Sequence, residues 1–375
     1  MFIRAINTLV MSRSRSFLVV LLLLAACSRG YDPSEIIPIP ENMSSGSFSD
    51  VVSSIELVPL SSDMEHQLGQ NVELKLWEDS FVIADKQTSR IFRFSGNGGF
   101  INTYGKKGRG PQEYSSIDNI QVREDVLIVF ADRQKILRFQ MKDGTWISTD
   151  EIEGLGVQSY YVDEGLLTYV GYMGDGDPRL SLISDDGKVT GFLNSKKSVM
   201  AYSPRNPVFS ESGGDVFFVD SYSDVINKYS LGKVDPCFTF DFGKYAIDGS
   251  FYEFENRMDG ARFLLSSEFE IIDRFCADGS DYMLEAMIQA PRKAPVFNYG
   301  FSRKGKWTWF TCGEAGVDPF AGMFMIYEDG VAYFLLDPSL VGNIPAPLVE
   351  KIRNKVVLDT ISDESNFVIA KVRFK

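Results

Sequence analysis

Four neighbouring side chains within residues 105–114 (GKKGRGPQEY) carry complementary chemistry. Arg109 offers a planar fork of donors, Gln112 an amide, Glu113 a carboxylate, and Tyr114 a stacking ring with a hydroxyl. Glycines at 105, 108 and 110 would let backbone amides approach a ligand closely. A turn alone does not need Arg, Gln, Glu and Tyr together, so the stretch is a candidate binding surface. It is not a phosphate cradle: the spacing fits neither GxGxxG nor GxxxxGK(S/T), and Pro111 leads into a strand, not a helix. Trp307 and Trp309, at i and i+2, point to one face of a strand. That suits a sugar-stacking platform or packing between sheets, and packing is the favoured reading.

Catalytic constellations are not visible. His66 is the only histidine and precedes the repeats among polar residues, which argues against a Ser-His-Asp triad or a histidine-rich metal site. Asp175 and Asp177 in GDGDPR lack the other positions of a calcium loop and read as a solvated hairpin. Cys237, Cys276 and Cys312 have neither CxxC nor zinc-ligand spacing, and buried free thiols are expected, with one disulfide the alternative. No catalytic residue, metal site or cofactor is assigned.

The elements that position these groups are short strands. Residues 81–84, 91–94 and 100–104 are apolar runs too short for helices and bounded by turn residues, with SGNGG joining the last two as a hairpin. The unit recurs. Third strands align at 91–94, 136–139, 180–182, 225–229 and 296–299, and three of the four gaps between their closing residues lie between 43 and 47. Four short strands per period of about 40–50 residues is the pattern of a β-propeller. Six blades are expected, near residues 70–104, 117–150, 155–193, 206–242, 268–311 and 322–374. The last has only three strands of its own, so residues 51–59 supply the fourth and close the ring. Two stretches break the rhythm: 251–267, an inserted loop or short helix, and 344–355, a surface helix begun by Pro345. Asp85, Asp132 and Asp220 begin the loops from second to third strands, where bonding to their own turns is expected.

The N-terminal segment is set apart from the fold. Arg13 and Arg15 precede an apolar run, 17–24, that ends in Leu24-Ala25-Ala26-Cys27 and resembles the bacterial lipobox. Residues 1–26 therefore read as a lipoprotein signal peptide, with Met1 or Met11 as the start, and Cys27 as the lipidated mature N-terminus. Residues 27–47 read as a tether, and 48–375 as the propeller. Cleavage removes Arg4, Arg13 and Arg15 and no acid, taking the net charge from −13 to −16. Such a protein repels phosphate backbones, so nucleic acid is not an expected partner.

Residues 82–94 (VIADKQTSRIFRF), the hairpin and the Gly-rich loop resemble the NHL repeat. With the lipobox, the strand SSIELVPL and the ending SNFVIAKVRFK, the chain is similar to bacterial six-bladed, TolB-like propeller lipoproteins. The resemblance implies an all-β fold and a place in the cell envelope, periplasmic or on the outer membrane, without a reaction. Six-bladed lactonases use channel-lining Glu, Asn and Asp as metal ligands, for which Glu113, Asn119 and Asp273 are the conceivable counterparts. The expectation is a monomeric binding module for a protein partner or small ligand, including a glycan, at the channel mouth. It touches membrane only through its lipid. A metal-dependent hydrolase is the alternative.

Overall fold

The computed structural model describes residues 36–40, 47–171, 178–194 and 206–375. Cys27, Asp175 and Asp177 lie outside them. Six sheets of four antiparallel strands stand around an axis: residues 72–103, 117–151, 158–194, 209–241, 269–314, and a sixth of mixed origin. The alternation and turn chemistry that specify the strands work as expected, with Ser80–Asp85 buried along its length and Gly98, Gly144, Gly187 and Gly305 at positive φ in the hairpins.

The sixth blade joins Phe324–Glu328, Val331–Leu336 and Val368–Phe374 to Val52–Pro59 from the other end of the chain. The register runs from Val52 opposite Phe374 to Pro59 opposite Val368. The closing strand is an interface on both sides. Ile55 and Leu57 pack into the cluster shared by blades 5 and 6, and Val58 into the cluster shared with blade 1. Its outer edge is also covered. Ile55 N donates to Lys351 O, Arg353 N donates to Ile55 O, and the Asn354 side chain bonds both backbone groups of Leu57. The stretch read as a surface helix thus has one helical turn, Ala346–Val349, and then caps the sheet edge.

Part of the expected tether is likewise structural. Ile36–Pro38 pairs in parallel with Thr239–Asp241 and gives blade 4 a fifth strand. The insertion after blade 4 holds a helix, Arg257–Ser266, capped by Asn256. Cys237, Cys276 and Cys312 are free.

Side-chain amides join the inner strands of neighbouring blades. Asn119 of blade 2 gives and takes a hydrogen bond with the backbone of Ser159 in blade 3, and Gln121 does the same with Tyr161. Gln158 of blade 3 spans Asn206 O and Val208 N of blade 4. Ser210 and Ser212 accept from Ala277 N and Gly279 N of blade 5, and Arg274 and Asp278 reach Met325 O and Gly330 N of blade 6. A primary amide presents the same donor and acceptor as a peptide group, so it extends the backbone pairing where the strands themselves are too far apart.

Blade 5 also buries an acid. The Tyr299 hydroxyl lies 2.7 Å from Glu285 Oε2 and 2.8 Å from Phe320 O, and it accepts from Gly322 N. A hydroxyl has one proton and the carbonyl can only accept, so making both short bonds requires a proton on Glu285. Burial, then the negative charge of Asp273, pushes the Glu285 carboxyl from 4.5 to about 8 against the pull of Arg274. Between those values the folded state holds a proton that the unfolded chain has released. The stability from this group is therefore full below 4.5 and lost as pH rises to about 8. Glu285→Gln should flatten the fall in unfolding free energy between about pH 5 and pH 8 in urea titrations; parallel profiles for parent and variant would contradict the assignment.

Candidate binding site on the propeller axis

Each inner strand runs along the axis, so the two ends of the channel differ. Connections from one blade's fourth strand to the next blade's first meet at one end, the loop face. The turns from first to second strands meet at the other, the turn face. A cavity of about 450 Å³ lies on the axis and is lined by all six blades. Its wall uses the later parts of the inner strands, including Leu74–Leu76, Gln121, Tyr160, Arg274–Asp278 and Met325–Asp329. The cavity therefore belongs to the turn face.

Charged groups line it together with neutral polar ones such as Gln121, Ser210 and Ser212. Glu211, Asp278, Glu328 and Asp329 face Lys75 and Arg274, four carboxylates against two cations. The Tyr160 hydroxyl donates to Glu211 Oε2 at 2.6 Å and fixes that carboxylate. Lys75 is turned toward buried Glu73, at 3.4 Å. Burial and the adjacent Asp329 push Glu328 above the usual carboxylate range, and Lys75 opposes them.

Acids gather at the turns of this face. Two lie in or flank every first-to-second-strand turn: Glu78 and Asp79, Glu124 and Asp125, Asp163 and Glu164, Glu211 and Asp215, Asp278 and Asp281, Glu328 and Asp329, of which Glu211, Asp278, Glu328 and Asp329 line the cavity. Of these twelve, three are in ion pairs among the described residues: Asp163 with Arg123, Asp215 with Lys228, and Asp281 with Arg303. Turn chemistry does not explain the choice. Glu78 and Glu124 sit at φ of 50° and 53°, a region that favours Gly, Asn or Asp over Glu. The third-to-fourth-strand turns, farther from the axis, carry both signs: Lys142 with Asp143, Lys188 with Asp185 and Asp186, and Lys233 and Lys304.

The loop at 105–114 is on the other face, and much of its chemistry is used internally. Glu113 Oε2 accepts from Arg109 N at 2.9 Å and Gly110 N at 2.8 Å, and its other oxygen lies 3.1 Å from Lys106 Nζ. The Gly110 amide first, then Lys106, holds the Glu113 carboxyl below its ordinary value. Tyr114 is 0% exposed, and its hydroxyl donates to Tyr104 O, while the Tyr104 hydroxyl donates to Met141 O of blade 2. Tyr114 is thus a post between blades, against the expectation of a stacking ring at the surface. Arg109 and Gln112 remain exposed on the loop.

Trp307 and Trp309 are half-buried, stacked on each other at 5.6 Å, and set edge-on to Phe240 of blade 4. They fill the junction of blades 4 and 5 away from the cavity. Asn119 and Asp273 are occupied as well, Asn119 by Ser159 and Asp273 by Asn206. Glu113, Asn119 and Asp273 do not come together. Among the described residues no group of three or more His, Cys, Asp or Glu side chains is placed to hold a metal ion.

The three aspartates all reach beyond their own turns. Asp85 does accept from its own turn, at Gln87 N and Thr88 N, but also from Gly69 N in the loop entering its blade. Asp132 accepts from Ser115 N and Ser116 N of the corresponding loop, and Asp220 pairs with Arg179 and Tyr169 of blade 3.

A family model described as a domain of unknown function, DUF4934, matches residues 34–307. The chain belongs to this family. No curated protein matches it in sequence. Among solved structures, the DUF4934 chain is similar to a protein from Bacteroides fragilis described as exported. The TM-score is 0.73 at 15% identity, over 91% of this chain and 100% of that one. A DUF4221 family member from Bacteroides vulgatus gives a TM-score of 0.56 at 10% identity, over 87% of this chain and 98% of that one. At these identities the likeness speaks to the fold.

Removing the ring of the buried post should cost stability. Tyr114→Ala is expected to lower the unfolding free energy by about 3–5 kcal/mol and Tyr114→Phe by about 1 kcal/mol, with Arg109→Ala close to neutral, in denaturant melts. A Tyr114→Ala protein as stable as the parent would return that ring to the surface.

Proposed function

We propose that this protein is an exported, lipid-anchored binding module whose partner presents positive charge to the axial cavity on the turn face. The observation that carries the reading is the axial cavity lined by Glu211, Asp278, Glu328 and Asp329, at the end of the channel where every blade carries two acids at its first-to-second-strand turn. Low-dielectric walls strengthen the field of such a cluster, and a cation entering it relieves repulsion between neighbours such as Glu328 and Asp329. The buried Arg274 and the Tyr160–Glu211 pair give the base of the site fixed polar groups for orientation. A basic segment of a partner protein fits these features.

Export and anchoring through Cys27 rest on the lipobox-like sequence. The Bacteroides fragilis protein of similar fold, described as exported, is in keeping with export.

A fluorescent oligolysine peptide at low salt is the probe. Replacing Glu211, Glu328 and Asp329 by Gln, Gln and Asn should weaken its binding roughly tenfold or more, and added salt should weaken the parent's binding. A control in which exposed Glu253, Glu255 and Glu364 become Gln has the same net charge and should bind as the parent does. Equal loss in both variants would mean attraction to net charge alone, and the site would not be at the mouth.

A further inference from the structure

The attachment of this domain to its anchor is short. Nine residue steps separate Cys27 from Ile36, at most about 30 Å of extended chain. Ile36–Pro38 is fastened beside Thr239–Asp241, the end of the blade 4 strand that runs into the insertion before blade 5. Ile36 and the insertion residues Ala246, Ile247 and Tyr252 line one cavity of about 590 Å³. Beside Tyr252, Phe251 packs on Phe263 of the helix Arg257–Ser266, with ring centroids 5.6 Å apart. The helix therefore lies next to the point of attachment. Its outer side carries Met258 and Leu265, seven positions apart and 63% and 78% exposed, with the exposed Arg262 between them. Ile36 itself is 61% exposed.

We infer that the bilayer covers this side. The helix Arg257–Ser266 rests its Met258–Leu265 stripe on the lipid surface, and the acidic mouth points away from it. The inference rests on the reading that Cys27 is acylated. Two apolar side chains bind a membrane weakly alone, but a tether this short makes the contact intramolecular, at high effective concentration. Charge acts in the same direction: anionic headgroups repel the acids of the turn face, at the opposite end of the channel. The result is a mouth held clear of the membrane and open to a partner.

The test uses acylated full-length protein with Cys237 replaced by Ser, on vesicles of phosphatidylcholine and phosphatidylglycerol. An environment-sensitive probe is placed at Met258→Cys, Leu265→Cys or Leu231→Cys, the last 87% exposed in the outer hairpin of blade 4. Nitroxide-labelled lipids should quench the probes at 258 and 265 several-fold more than the probe at 231. If the protein floats with the vesicles but 231 is quenched as strongly, or no site is quenched, the orientation is wrong and the anchor stands. If the protein does not float, Cys27 carries no lipid and the orientation falls with it.

Discussion

The structure depends on one pairing between chain ends: Val52–Pro59 against Val368–Phe374, more than 300 residues away in sequence. Five blades can form from contiguous sequence; the sixth cannot. Without the closing strand, blade 6 would have an open edge, and the clusters it shares with blades 5 and 1 would lose Ile55, Leu57 and Val58. The loop-closure cost of such a distant contact grows only slowly with length, whereas the apolar surface buried grows with each strand residue. The coverage by residues 351–354 suits this role, because a closing strand with a bare outer edge is a template for pairing with another chain.

Closure is also what creates the cavity. Six inner strands set around an axis are too far apart for continuous backbone pairing, and Asn119 and Gln121 bridge one junction while Gln158 bridges the next. Polar groups spent in this way are not free for a ligand. What remains at the centre is the charged set on the turn face, and a rigid ring fixes the spacing of those carboxylates.

The blade rhythm was legible because it rests on local signals: apolar runs of strand length, glycine hairpins, and a last blade one strand short. Closure followed from that shortage. The site was less legible. Arg109, Gln112, Glu113 and Tyr114 have the residue types of a binding loop, yet whether a tyrosine points inward depends on Tyr104 and Met141, which local pattern does not reveal. Glu113 likewise satisfies amides only three and four residues back, an arrangement equally compatible with a ligand until the loop is folded. The acidic turns are present in the sequence as two acids around the end of each first strand. Their signal is distributed over six places and emerges only when the strand boundaries align them on one face. Ile36–Pro38 gave no sign, since a three-residue strand among prolines has no period to read.

Native-state hydrogen exchange tests the central claim most directly, because it reads the free energy at which each segment opens. If closure holds the ring together, amides of residues 52–59 and 368–374 should exchange only through global unfolding, with the same denaturant dependence as the inner strands. Exchange of 52–59 at a markedly lower opening free energy, while the other blades stay protected, would contradict the account.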